Sequence, residues 1–192
     1  MPTDVAVVVD VLSFSTCVCI AVERGMRVYP YAWNDPAAHS FAREHEAFLA
    51  ARRVHSTSDG RSTPSLSPSS LLKCPPVPRI VLPSPNGSSI ASSLQSADIM
   101  VVIGCLRNAK AVAERLAGEL DRGRTVAVVA AGERWGSDGS LRPALEDHLA
   151  AGAVLAALNS LGYDPAMSPE ASAAVAMFEG AEPYLLDWLR RC

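Results

Sequence analysis

A chain of 192 residues, 49% hydrophobic and 19% charged, carries enough apolar mass for one sizeable core and too little for two, so one domain spanning 1–192 is expected. Its net charge of -3, with lysines and arginines scattered along the chain, supplies neither a basic stripe for a nucleic-acid backbone nor a polybasic membrane patch. The apolar run at Val5 to Val9 is too short to cross a bilayer and the N-terminus lacks the form of a secretory signal, which points to a cytoplasmic protein with neither nucleic acid nor membrane as partner.

Short β-branched runs alternate with longer helical patterns. VAVVV (5–9), MRVYPYA (26–32), RIVL (79–82), DIMVVI (98–103) and TVAVVA (125–130) read as strands, several of them apolar throughout, as strands covered on both faces are. Helices are expected at about 14–24, 35–52, 87–95, 107–122, 141–160 and 169–190. This rhythm predicts an α/β fold: a three-layer α/β/α arrangement around a mostly parallel central sheet. Residues 53–78 break it. Their Ser and Pro density marks a long loop, either a lid or a solvated connection with one helical turn at SPSSLL. Cys17, Cys19, Cys74, Cys105 and Cys192 are odd in number and lack zinc spacing, which fits free buried thiols.

In a parallel α/β sheet, ligands bind beyond the carboxyl ends of the strands. Four such corners carry polar residues. Asp10 follows VAVVV, with Ser13, Ser15 and Thr16 where a helix opens. Asn86, Gly87, Ser88 and Ser89 follow RIVL. Gly104, Arg107 and Asn108 follow DIMVVI, with Gly104 expected to let the backbone approach a ligand. Glu133, Asp138, Glu146 and Asp147 follow TVAVVA in a Gly-rich stretch.

Converging helix starts make an anion site, and carboxylates at the same rim would repel that anion unless a cation sat between. Asp10 with Glu133, Asp138, Glu146 or Asp147 forms an all-oxygen set suited to Mg2+. Phosphate with Mg2+ is therefore the ligand pair these residues suggest. Against this stands capping, which accounts for each helix-start Ser, Thr or Asn singly, and dipole preference, which accounts for Glu146 and Asp147. His148 could donate a proton from its place beside the acidic pair, or be an exposed helix residue. Cys105 could be a thiol activated at a helix start, or simply packed.

DVLSFST, SPNGS, GCLRNAKAVA and AAGERWGSDGSLRPALEDHLAAGAV, in this order and over nearly the whole chain, resemble the motifs of the 2-phosphosulfolactate phosphatase (ComB-type) family. The resemblance implies a Mg2+-dependent phosphatase that converts (R)-2-phospho-3-sulfolactate to sulfolactate and phosphate in coenzyme M biosynthesis. It implies that Asp10, Glu146 and Asp147 are the catalytic carboxylates, and it matches Asn86, Gly87, Gly104 and Asn108 to the family's Asn-Gly turn and its glycine and asparagine. The strand-end reading adds Glu133 to the metal ligands and Ser13, Ser15, Thr16, Ser88 and Arg107 to the substrate-binding set. Ser13 and Ser89 stand where the family usually has arginines, and Arg107, Arg134 and Arg142 are the candidates to replace them. Family members generally extend further at both ends, so truncation, an exposed sheet edge and a homodimer that covers it are expectations too. Attack by a metal-activated water is expected over a phospho-aspartyl route, because Leu12 stands where a second aspartate would be required. The competing reading is a non-catalytic module that holds a phosphorylated metabolite.

Overall fold

The computed structural model describes residues 3–32, 36–51 and 64–192. Strand β1 (Val5–Val9) is buried at every position and lies between β5 (Met100–Gly104) and β6 (Val126–Ala130), parallel to both. Its β-branched side chains fill both faces, which is why the run shows no polar alternation. A second parallel ladder has the order β2 (Arg27–Tyr31), β4 (Arg79–Pro83), β3 (Phe48–Leu49). The α/β class and the parallel pairing are as expected, with the pairing divided between two three-stranded ladders.

Helix α1 (Phe14–Glu23) and helix α4 (Gly87–Ser96) follow β1 and β4; helices α5 (Ala109–Leu120) and α6 (Leu145–Leu158) flank β1. One core cluster joins Val5, Val7 and Val9 to Leu116 of α5 and Val154 of α6; the other joins Phe14 and Ile20 of α1 to Leu71, Ile80 and Leu82. Each such fully buried side chain contributes about 1.5–3 kcal/mol.

Several expected boundaries move. The helix expected over 35–52 is α2 (Pro36–Glu44); Glu46 turns the chain at φ 49°, and Phe48–Leu49 become a strand edge against Ile80 and Val81. The apolar FLA run pairs with β4 because a sheet edge is available to it, a tertiary gain that helical periodicity does not register. Residues 33–35, where that helix was expected to begin, lie outside the described residues. The helix expected from 141 starts at Leu145, since Pro143 disfavours helical geometry at Arg142. Leu141–Arg142 instead form β8, antiparallel to β7 (Glu133–Arg134). The last helix is α7 (Pro169–Ala181), a 3-10 turn at Glu182–Tyr184 that holds Pro183, and α8 (Leu185–Leu189).

Of the 53–78 segment, residues 53–63 lie outside the described residues. The remainder is packed: α3 (Pro68–Lys73) buries Leu71, Cys74 is buried behind it, and Arg24 donates to the carbonyl oxygens of both Leu71 and Cys74. That half is packed into the core as a connection. Cys17, Cys74 and Cys105 are buried free thiols, Cys19 is half-buried, and Cys192 is exposed, contrary to the expectation of burial. No helix among the described residues is long and apolar enough to cross a membrane.

Candidate active site

The two ladders meet at Asp10. Placed one residue beyond β1, its side chain is only 5% exposed, and its Oδ2 accepts from the Gly87 N–H at 2.8 Å and the Ser84 hydroxyl at 3.2 Å. Its Oδ1 accepts from the Phe14 N–H at 3.4 Å. One carboxylate thereby takes up amides at the starts of α1 and α4, where orphan N–H groups and both dipoles favour negative charge. Burial raises the Asp10 carboxyl above its ordinary value; the Gly87, Phe14 and Ser84 donors oppose this, and Glu133 adds to it.

Asp147, in the first turn of α6, is 3% exposed and holds two loops together. Its Oδ1 accepts from Val11 N–H at 2.7 Å and its Oδ2 from Gly132 N–H at 2.9 Å. Burial pushes its carboxyl up to about 7, with the charges of Asp10 and Glu146 adding to the effect and the two amides opposing it. Glu146 is 7% exposed, and the Cys192 thiol lies within its hydrogen-bond reach. Asp10, Glu133, Glu146 and Asp147 therefore form one electrostatic cluster, as their positions after β1 and β6 suggested.

The charge on this cluster is unbalanced. Among the described residues no ion pair reaches Asp10, Glu146 or Asp147. Glu119 shows the contrast. It is 1% exposed and is met by Arg115, Arg122 and Arg124 at 2.6, 3.0 and 2.7 Å. A buried carboxylate without a partner is costly, so the cluster suits a cation as a ligand. Among the described residues no three acids close on a single point as a metal cage.

The remaining candidates divide. Asn86 is half-buried beside Gly87, and its side-chain amide makes no hydrogen bond among the described residues, which leaves it available to a ligand. Ser15 accepts from the Asp10 N–H and donates to the Val8 carbonyl; Thr16 donates to Val11 and Ser88 to Leu82. Ser13 donates to the Leu66 carbonyl at 3.0 Å. These hydroxyls shape the corners, and none caps a helix through its side chain. Gly104 packs: an added Cβ would lie 2.7 Å from a Val7 methyl, so its missing side chain serves the β1–β5 contact and exposes no backbone to a ligand.

Arg107 pairs with Glu23 at the far end of α1, about 14 Å along the helix from Phe14. Asn108 closes its own turn, accepting from Cys105 N–H and donating to the Ile103 carbonyl. The side chains of Arg107 and Asn108 are thus engaged elsewhere than with the carboxylates, while Gly104 stands in register with Val9, next to Asp10. Asp138 is exposed at the β7–β8 tip, where the Ser140 N–H and hydroxyl hold its carboxyl below the usual range. His148 is exposed and lines a separate cleft of about 480 Å3 with Val128 and Ala171. Ser84 was missed by the sequence reading; its place at the end of β4 was the available signal.

A parallel α/β fold with buried acids gathered at its strand ends defines an α/β protein whose ligand site lies beyond the carboxyl ends of its strands. The profile of the 2-phosphosulpholactate phosphatase family matches residues 1–192, and the chain belongs to that family. Its members are phosphoric monoester hydrolases, so the chain is a phosphatase acting on a small phosphorylated substrate. Comparison with individually curated proteins gives no match.

Proposed function

We propose that the chain hydrolyses 2-phosphosulfolactate, or a closely related phosphorylated hydroxy acid, at the Asp10 corner with Mg2+ bound there. The observation that carries this reading is the burial of Asp10, Glu146 and Asp147 without a counter-charge among the described residues, where Glu119 has three. Asp10 and Glu146 would hold the ion, with Glu133 and Asp147 behind them; when bound, it supplies charge neutralisation and polarises a phosphoryl oxygen.

The chain's own groups do the rest. Asn86 orients the phosphate from the α4 start. Leu12 stands where a phospho-aspartyl route would require a second aspartate, so a water is the nucleophile, and the three donors on Asp10 hold it in place. Asp147, titrating near neutrality, takes a proton from that water or returns one to the leaving hydroxyl oxygen. Its two backbone bonds keep Val11 and Gly132 in register while it does so.

The test is phosphate release from 2-phosphosulfolactate and a panel of small phosphomonoesters, with Mg2+ and with EDTA, for wild type and Asp10→Asn checked for folding. Release that needs Mg2+ and falls at least about a hundredfold in the variant is expected. Release that survives EDTA overturns the metal, and a preferred ester without a second anionic group overturns the substrate.

A further inference from the structure

Four acids gathered at one corner repel a substrate that is itself multiply charged, so admission of a phosphorylated hydroxy acid requires a cation that is not already spent. Of the three arginines that could replace the family's missing ones, Arg107 is paired with Glu23, and Arg134 donates to the Gly139 carbonyl at 2.9 Å within its own hairpin. Arg142 differs from both. It is half-buried, and among the described residues it forms no ion pair.

The β7–β8 ladder fixes where Arg142 points. Glu133 and Arg142 are directly opposed across it, so their side chains leave by the same face. Gly132, just before β7, donates its N–H to Asp147 Oδ2 at 2.9 Å, and a Cβ built on it would lie 3.0 Å from the Arg142 carbonyl oxygen, so this end of the hairpin lies against the acids. Arg142 is therefore placed at the end of the hairpin next to them. The Trp135 ring lies 5.6 Å from the guanidinium carbon and holds the plane of the fork without neutralising it.

We infer that Arg142, supported by Trp135, recognises the second anionic group of the substrate, a sulfonate or carboxylate beside the phosphate. The inference rests on reading the Asp10 corner as the phosphate-ester site. The phosphate belongs deeper, at Asp10 and Asn86. The hairpin sits at the rim, with Trp135 53% and Leu141 66% exposed, and a group one or two bonds from the phosphate reaches it there. A planar fork suits either oxyanion through paired N–H donors, which a lysine cannot reproduce.

Isothermal titration with 2-sulfoethyl phosphate, 2-phosphoglycolate and ethyl phosphate, each with and without Mg2+, tests this without relying on turnover. In Arg142→Ala the affinity for at least one of the two doubly functional esters should fall at least about tenfold more than that for ethyl phosphate, a difference of about 1.4 kcal/mol or more. Arg142→Lys should recover part of the loss, and Trp135→Ala should reproduce part of it. Selective loss on the sulfonate or on the carboxylate identifies which group the arginine takes. Equal losses on all three esters, no loss on any, or a wild type that binds neither doubly functional ester overturns the assignment. Phosphate release from the same esters is scored separately: a chain that binds with the expected pattern and releases nothing keeps the role of Arg142 and loses the proposed reaction.

Discussion

Gly87 and Asp10 are fitted to each other twice over. The Gly87 N–H donates to Asp10 Oδ2 at 2.8 Å, and a Cβ built on Gly87 would lie 2.7 Å from that same oxygen and 2.5 Å from the Phe14 ring. The α4 start can reach the carboxylate only because no side chain stands there. Gly87→Ala should therefore push α4 off the corner, at about 1–3 kcal/mol in stability. Phosphate release should fall at least about tenfold, because the displaced amide leaves Asp10 free to rotate. Thermal denaturation and phosphate release on the same preparation check both; an alanine variant with wild-type activity would show that the contact does not position Asp10.

Asp10 and Asp147 set a pH dependence whose sign is opposite to that of an ordinary ion-paired acid. Burial raises both carboxyls in the folded state, Asp147 to about 7. Between the unfolded value near 3.8 and that point, the folded chain holds more protons than the unfolded one. Stability therefore declines as pH rises through this window. A bound cation offsets the cost of a buried charge and relieves the smaller repulsion that the neighbouring acids add. The rise in melting temperature on adding Mg2+ should accordingly be larger at pH 8 than at pH 5, where the carboxyls are more fully protonated. Equal shifts at the two pH values, or none, would count against metal binding at these acids.

Replacement of Asp147 separates its two duties. Asn keeps one acceptor oxygen, so either Val11 N–H or Gly132 N–H loses its partner, at a cost of about 1–3 kcal/mol. It also cannot titrate. If Asp147 carries this proton, the pH profile of kcat for Asp147→Asn should lose the limb that its titration gives the wild type, alongside a lower maximum. An unchanged limb assigns that proton transfer to another group.

How far the sequence revealed this site can be judged residue by residue. Asp10 was legible because a carboxylate directly after five buried apolar residues needs a partner, and Glu146 and Asp147 because the first turn of a helix after β6 faces the same end of the sheet. Tertiary matters were not legible. Ser13, Ser15, Thr16 and Ser88 look like caps or ligands in one dimension, yet their hydroxyls bond to carbonyl oxygens of their own corners and of Leu66. Arg107 looks like an anion contact until Glu23, 84 residues away in sequence, takes it. The short strands β3, β7 and β8 carry no period of their own and exist because a neighbouring edge is there to pair with.

Glu119 supplies the control for the central argument. It is buried as deeply as Asp147, but it closes the base of α5 under Arg115, Arg122 and Arg124, whose side chains are 50, 62 and 45% exposed. If burial with a counter-charge marks scaffold and burial without one marks the site, Glu119→Gln should cost stability and leave catalysis alone. The three arginines remain solvated after the change, so the penalty is about 1–3 kcal/mol and below that of stranding a buried charge. The measurement is a denaturant midpoint together with kcat and KM on the preferred ester. A lowered midpoint with both kinetic constants within about twofold of wild type is expected, since α5 contributes none of the carboxylates at the strand ends. A fall in kcat with unchanged stability would place Glu119 in the chemistry, and counter-charge would no longer separate scaffold from site.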